Sequence, residues 1–113
     1  MTESVTESVA ESPDWFVYIA RCSDGSLYTG IARDVQLRLA AHNAGRGARY
    51  TRGRGPLSLC AERRCASKGA ALRLEWAVKQ LPRPEKETLL GTRRLAAFAR
   101  RLSAEHAVQA NAP

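Results

Sequence analysis

The sequence predicts an α+β fold in which a small three-stranded antiparallel β-sheet is flanked by helices. Two runs rich in aromatic and β-branched residues are separated by a turn sequence, and a third run follows later in the chain. Elsewhere, apolar residues recur at intervals of three and four, which is typical of amphipathic helices. A chain of 113 residues has room for one hydrophobic core, so we expect a single domain.

The first two strands are predicted at residues 15–22 and 27–32 and form a β-hairpin, because the sequence between them is rich in turn-forming residues. Tyr18 and Tyr28 share a face of this hairpin only if the loop holds an odd number of residues. A three-residue loop at 24–26, with Gly25 in the left-handed conformation, meets that condition, whereas a two-residue turn would separate the tyrosines.

A helix is predicted over residues 35–44, capped by Asp34 and ended by Gly45. Arg38 and His42 are four residues apart and therefore neighbours on one side of it. Its buried stripe is predicted to consist of four apolar residues: Leu37, Ala40, Ala41 and Ala44.

The third strand is predicted at residues 57–65, and a second long helix runs from Ser67 to the residue before Pro82. Its predicted buried stripe is Ala71, Leu74, Val78 and Leu81. Glu75 lies on the edge of that stripe, so its carboxylate should point towards the protein body. A short helix beginning near Pro84 and a last helix after Gly91 complete the chain.

The chain divides into three predicted parts: an acidic disordered tail at residues 1–13, a main domain at 14–90 and a helical extension at 91–113. The tail repeats TESV and carries no basic residue. The first fourteen residues hold four of the eleven acidic side chains, which leaves residues 15–113 with 18 basic and 7 acidic side chains. A folded domain this basic is suited to a polyphosphate partner. The charge is equally compatible with a basic protein whose charge serves only to keep it soluble.

The sequence argues against several classes of protein. The three cysteines, Cys22, Cys60 and Cys65, form no C-x-x-C pair, so we expect free thiols and a cytoplasmic location. No apolar stretch approaches the length of a membrane span, and the first residues do not have the pattern of a secretory signal. Glycine-rich nucleotide motifs, a serine nucleophile elbow and metal-spaced histidine pairs are absent from the sequence.

The residues that remain for chemistry suit phosphodiester hydrolysis: Tyr18, Tyr28, Arg38, His42 and Glu75. Mg²⁺ keeps most of its waters and needs only one or two carboxylates, so a single glutamate is compatible with a metal site. Arginine stabilises charge on phosphate, and a phenol or imidazole can accept a proton from water. Taken singly, each residue also has an ordinary structural role, such as an ion pair between Glu75 and Lys79.

A glycine-rich loop at residues 45–56 follows the first helix and is predicted to bind nucleic acid. Arginine on glycine-rich backbone suits irregular phosphate geometry, and a tyrosine can stack on an unpaired base. The alternative is a solvated charged loop. With the arginine that precedes the helix, the predicted nucleic-acid contacts are Arg33, Arg46, Arg49, Tyr50, Arg52 and Arg54.

The order of these residues resembles the GIY-YIG nuclease family, in particular its small, single-domain bacterial branch. Residues 16–18, FVY, stand where that family has its first triplet, and residues 28–30, YTG, stand where it has YIG. Arg38, His42 and Glu75 follow in the family's order, and the resemblance covers Trp15 to Leu90. It implies catalytic roles for Tyr18, Tyr28, Arg38, His42 and Glu75, with Glu75 as the ligand of Mg²⁺ or Mn²⁺.

The resemblance implies a metal-dependent DNA endonuclease that selects branched, single-stranded or damaged DNA in repair or recombination. The general base stays open between Tyr18, Tyr28 and His42. Larger family members have an asparagine after the metal-binding glutamate, whereas here the only later asparagine is Asn111. Two alternatives are therefore kept: a nucleic-acid-binding module with weak catalysis, and a small basic protein associated with RNA.

Overall fold

The computed structural model describes residues 14–46 and 56–110, so the predicted acidic tail and residues 47–55 and 111–113 lie outside the described part. The described chain forms β1 (Trp15–Arg21), β2 (Leu27–Ala32), α1 (Val35–Asn43), β3 (Ser58–Cys65), α2 (Lys68–Gln80), α3 (Arg83–Glu87) and α4 (Thr92–Ala110). The strands form one antiparallel sheet in the order β2-β1-β3. The predicted α+β fold is confirmed.

The hairpin of β1 and β2 brings the two tyrosines to one face of the sheet. Tyr18 pairs with Gly30, and Tyr28 pairs with Ala20, so the predicted odd-numbered loop is confirmed. The predicted position of that loop was wrong by one residue. Because the Cys22 N–H donates to the Ser26 carbonyl at 2.8 Å, the loop consists of residues 23–25 rather than 24–26.

The side chain of Asp24 explains this shift. One of its oxygens accepts hydrogen bonds from the backbone N–H of Ser26 at 3.0 Å and from the Ser26 hydroxyl at 2.6 Å. Gly25 has the predicted left-handed backbone, with φ of +88°, and its N–H donates to the Cys22 carbonyl at 2.9 Å. This local hydrogen bonding closes the turn one residue earlier than residue types alone suggest.

The sheet has a hydrophobic core on each face. On one face, Val17 and Ile19 pack with residues of α2 and α4. On the other face, Tyr18 and Ala20 pack with Val35 and Leu39 of α1. Because side chains alternate along β1, the same strand builds both cores and carries Tyr18 to the α1 side.

Helix α1 has the predicted ends but a different buried face. The Asp34 carboxylate accepts from the Leu37 N–H at 3.0 Å, and Gly45 follows the helix with φ of +83°. The predicted stripe was wrong, since Leu37 is 69% exposed and the buried residues are Val35, Leu39 and His42. Burying the larger valine and leucine removes more apolar area from water than burying an alanine-rich face.

Helix α2 is as predicted. The Ser67 hydroxyl accepts from the Ala70 N–H at 3.1 Å and caps it. Ala71, Leu74 and Val78 are buried against the sheet, and Leu81, the fourth residue of the predicted stripe, is half-buried. None of the helices within residues 14–46 and 56–110 is long and apolar enough to cross a membrane.

Helix α4 packs beside β3 through Leu95 and Ala99, which belong to the same core as Val17. A bulge in the β1–β3 pairing leaves Cys60 without a partner residue on β1. The carbonyl of Cys60 accepts instead from the Gly91 N–H at 3.1 Å, just before α4. The first half of the predicted extension thus contributes to the core, and the boundary at residue 91 stays a prediction.

Candidate active site

Tyr18 lies at the centre of the predicted site and is completely buried. Its hydroxyl is 3.0 Å from Nε2 of His42, which links β1 to α1. Burial raises the pKa of Tyr18 to about 12, and the nearby Tyr28 and Glu75 act in the same direction, whereas Arg38 opposes them through charge and hydrogen bonding. Tyr18 is therefore a neutral phenol at neutral pH and a hydrogen-bond donor.

His42 is buried, with 3% of its surface exposed. Burial lowers the pKa of His42, and the positive charge of Arg38 lowers it further. A neutral imidazole has one ring nitrogen that accepts a hydrogen bond. The phenol of Tyr18 donates to Nε2 in the tautomer with the His42 proton on Nδ1, and it accepts from Nε2–H in the other tautomer.

Tyr28 is half-buried and completes a cluster of three rings. Its ring centroid lies 6.2 Å from that of Tyr18 and 5.2 Å from that of His42. These distances are within the range of favourable edge contacts between aromatic rings. Of the three side chains, Tyr28 is the one that reaches the solvent-accessible surface.

Gly30 makes this cluster possible. A Cβ atom at residue 30 would lie 2.8 Å from the hydroxyl oxygen of Tyr18 and 2.9 Å from Cε2 of Tyr28. Both distances are shorter than non-bonded atoms tolerate. The glycine of the YTG triplet is therefore required by the close approach of the two tyrosine rings.

Arg38 and Glu75 border the same cluster from two helices. Arg38 is half-buried on α1, and both side chains are close enough to affect the pKa of Tyr18. The side chain of Glu75 is 18% exposed, and its carboxylate forms an ion pair of 3.2 Å with Lys79, one turn later on α2. The ordinary ion pair considered for Glu75 thus exists alongside its position at the site.

Glu75 is the carboxylate among the predicted site residues that could hold a metal ion. The described residues contain no group of three or more His, Cys, Asp or Glu side chains that could hold a metal ion. Mg²⁺ retains several waters and binds through one or two carboxylates together with substrate phosphate. A single half-buried carboxylate that is open to solvent fits that mode of binding.

The predicted nucleic-acid contacts are only partly within the described residues. The guanidinium of Arg33 stacks over Trp15, 5.7 Å from the ring centroid, and Arg46 is exposed after α1. Arg33 and Arg38 line a shallow cavity of ≈ 450 Å³ beside α1. The other four predicted contacts lie outside the described residues: Arg49, Tyr50, Arg52 and Arg54.

Two features near the site were missed by the sequence analysis. Lys79 and Lys86 line a cavity of ≈ 240 Å³ with Tyr28 and Thr29. The spacing of Lys79 from Glu75 signals proximity to the site, whereas the position of Lys86 depends on how α3 packs beside β2. In addition, Oδ1 of Asn43 accepts from the Leu57 N–H at 2.7 Å. This hydrogen bond joins the residues that flank the predicted loop at 45–56.

Comparison with known proteins identifies the family. A sequence model of the GIY-YIG catalytic domain matches residues 14–88. The chain belongs to the GIY-YIG family. The predicted family is thus confirmed, and its catalytic domain is that of a nuclease superfamily, whose members act on nucleic acids and generally use a divalent metal ion.

The GIY-YIG relatives similar to this chain include several UPF0213 proteins. One from Halobacterium salinarum is 53% identical over 73 residues, which cover 65% of this chain and 95% of the relative. Another from Vibrio cholerae is 48% identical over 86 residues, which cover 74% and 85% of the two chains. The solution NMR structure of a UPF0213 protein from Bacillus halodurans is 50% identical, covers 67% and 81% of the two chains, and has a TM-score of 0.45.

Proposed function

We propose that the protein is a divalent-metal-dependent endonuclease that hydrolyses DNA phosphodiester bonds in the cytoplasm. The observation that carries the proposal is the convergence of side chains from four elements of a GIY-YIG domain around the buried phenol of Tyr18. β1 and β2 provide the tyrosines, α1 provides Arg38 and His42, and α2 provides Glu75. This combination of hydrogen-bond donors, a carboxylate and a surface phenol is suited to phosphoryl chemistry.

Arg38 is the group proposed to bind the scissile phosphate. Its guanidinium can form charge-assisted hydrogen bonds with two phosphate oxygens, which stabilises the charge that develops during hydrolysis. The half-buried position beside Tyr18 restricts its motion, so that less side-chain entropy is lost when phosphate binds.

Glu75 is the residue proposed to hold Mg²⁺ or Mn²⁺. When bound, the ion would supply Lewis-acid stabilisation of the phosphate and a lower pKa for bound water. The carboxylate would have to exchange its ion pair with Lys79 for the metal ion. Lys79 would then be free to contact the DNA backbone near Lys86.

Tyr28 is proposed as the group that, once its hydroxyl proton has passed to solvent, accepts as phenolate the proton of the attacking water. Tyr18 and His42 are buried and hydrogen-bonded to each other, so neither presents its polar atom to a substrate. The pKa of Tyr18 at about 12 also makes its phenolate costly to form. Tyr18 and His42 then act as positioning residues that hold the ring of Tyr28.

The proposed substrates are branched, single-stranded or damaged DNA of the kind processed in repair and recombination. The arginine-rich segment at 45–56 and the net charge of +7 favour contacts with the sugar-phosphate backbone. The sequence pattern of this segment suits phosphate recognition rather than base reading.

The proposal is tested by incubating the full chain with end-labelled duplex, single-stranded and branched DNA, with Mg²⁺, with Mn²⁺ and with EDTA. Glu75→Ala and Arg38→Ala are expected to lose cleavage by at least about 100-fold, because each removes transition-state stabilisation. Glu85→Ala and Arg94→Ala, at exposed positions on α3 and α4, serve as matched controls and should keep activity.

Three results would replace the proposal. Tight DNA binding without cleavage in either metal would identify a binding module, and preferential binding of RNA in competition would identify an RNA-associated protein. Equal cleavage by wild type, Glu75→Ala and Arg38→Ala would show that the activity does not arise at this site.

A further inference from the structure

A groove of ≈ 630 Å³ lies between α2, α4 and the end of β3, and none of the five proposed catalytic residues lines it. Leu74, Ala99 and Leu102 contribute apolar surface to it, and Trp76 and Leu72 line the α2 side. Trp76 is 66% exposed and Leu72 is 44% exposed. Exposed apolar patches mark surfaces that bind proteins, membranes or ligands, and a groove is one of the shapes that can bind a peptide segment.

Three arginines also line the groove: Arg63, Arg64 and Arg73. Arg64 donates to a carboxylate oxygen of Asp14 at 3.0 Å. Within the described residues, no ion pair involves Arg63 or Arg73. The groove therefore combines an apolar surface with positive charge and already binds one carboxylate.

Asp14 is the residue at which the N-terminal segment joins β1. The preceding residues 1–13 contain three acidic side chains and no basic one, so their charge matches that of the three arginines. In this segment glutamate and valine alternate at every second position: Glu3, Val5, Glu7, Val9 and Glu11. In an extended chain these five side chains would lie on one face, where carboxylates and apolar groups alternate.

We propose that this groove binds residues 1–13 of the same chain, with the glutamates paired to the arginines and the valines in contact with Trp76 and Leu72. Thirteen extended residues span about 43 Å, against about 20 Å for the thirteen residues of α2, so the segment is long enough. The contact of Asp14 with Arg64 lies at the groove, and Asp14 directly follows the last residue of the segment. Covalent attachment gives the segment an effective concentration on the order of millimolar, at which weak contacts suffice.

This docking covers apolar surface and neutralises positive charge away from the predicted active site. Arg38 does not line this groove, so the docked segment would not compete with DNA phosphate for that side chain. The bound segment keeps Trp76 from contacting other protein molecules. The arginines predicted to contact nucleic acid, such as Arg33 and Arg46, would not be neutralised by it. The proposal is independent of the nuclease function, because it requires no catalytic residue.

The test measures acrylamide quenching of Trp76 fluorescence in the full chain. Trp15→Phe removes the other of the two tryptophans. In this background, the triple substitution Glu3→Gln, Glu7→Gln and Glu11→Gln should raise the quenching constant about twofold, because release of the segment would uncover the indole. The pair Arg63→Gln and Arg73→Gln should have the same effect. Glu85→Gln, on exposed α3, is the matched control and should have none.

A second measurement uses the natural chain labelled with 5-fluorotryptophan, which avoids the Trp15→Phe background. The fluorine NMR signal of Trp76, assigned with Trp76→Phe, should shift on the triple substitution, while the signal of Trp15 stays in place. Equal quenching and equal fluorine shifts with and without the three glutamates would overturn the proposal. Protection of Trp76 that depends on protein concentration and persists in the triple variant would also overturn it, because a second copy would then cover the groove.

Discussion

The hydroxyl oxygen of Tyr18 and Nε2 of His42 lie 3.0 Å apart, and both side chains are buried. This hydrogen bond joins the central strand β1 to α1, the helix that carries Arg38. A buried polar atom that loses its partner costs more free energy than the hydrogen bond itself contributes. The pair therefore links stability of the fold to the geometry of the proposed active site.

Substitution of the two tyrosines by phenylalanine should separate stability from catalysis. Tyr18→Phe removes the hydroxyl that is hydrogen-bonded to Nε2 of His42, so the free energy of unfolding should fall by about 1–3 kcal/mol. Tyr28→Phe removes the hydroxyl of the proposed general base and should lose DNA cleavage. Urea denaturation and single-turnover cleavage measure the two effects. If Tyr28→Phe cleaves at the wild-type rate, Tyr28 is not the base.

Gly30→Ala should disturb both tyrosines at once. The added Cβ would lie within 3.0 Å of Tyr18 and Tyr28, so the variant should lose about 1–3 kcal/mol of stability through overpacking and lose most of its cleavage activity. Gly69→Ala is the matched control, because its Cβ would make only ordinary van der Waals contacts, with Nη1 of Arg73 at 3.6 Å and Oγ of Ser67 at 3.9 Å. The free energy of unfolding of Gly69→Ala should rise by about 0.4–1 kcal/mol, since alanine reduces the entropy of the unfolded chain. Equal stability of the two variants would contradict the predicted clash.

The lowered pKa of His42 predicts that stability decreases in mild acid. As the pH falls below about 6.5, histidine in the unfolded chain takes up a proton before His42 in the folded chain does. The unfolded state then binds more protons, so the free energy of unfolding should fall with pH. His42→Gln should remove this contribution, while His106→Gln should retain it. Thermal unfolding between pH 5 and 8 provides the comparison, and a parallel dependence in wild type and His42→Gln would contradict it.

Asn43→Ala should affect substrate binding more than the chemical step. The substitution removes the acceptor for the Leu57 N–H and should cost about 1 kcal/mol of stability. Because the ends of the arginine-rich segment would separate, KM for DNA should rise severalfold while kcat changes little. Asn43→Asp keeps an oxygen acceptor and should retain stability. A decrease of kcat at constant KM would show that Asn43 acts on the catalytic residues instead.

The strands and the helix starts were predictable because their signals are local or periodic. The alternation in β1 placed Tyr18 on one face and Val17 on the other, and Asp34 and Ser67 marked helix starts correctly. The YTG triplet marks Gly30 but does not show which atoms approach it. In the structure, the atoms that approach are those of Tyr18 and Tyr28.

The buried face of α1 was not predictable from periodicity, because the helix contains apolar residues on two sides. The face with Val35 and Leu39 is buried, and His42 is buried with them because Tyr18 satisfies its ring nitrogen. The sequence shows a histidine but not its partner on β1, 24 residues away. The same limit applies to Lys86, whose position beside Tyr28 results from the packing of α3.

The hydrogen bond between Asn43 and Leu57 holds together the residues on either side of segment 44–56. Both attachment points are fixed by the scaffold, one at the end of α1 and one directly before β3. Because the cost of closing a loop rises slowly with its length, we expect that segments of other lengths could be inserted between them without changing the ring cluster of Tyr18, Tyr28 and His42. Libraries that vary the sequence and length of this segment would offer a way to change nucleic-acid preference while the proposed active site stays unchanged.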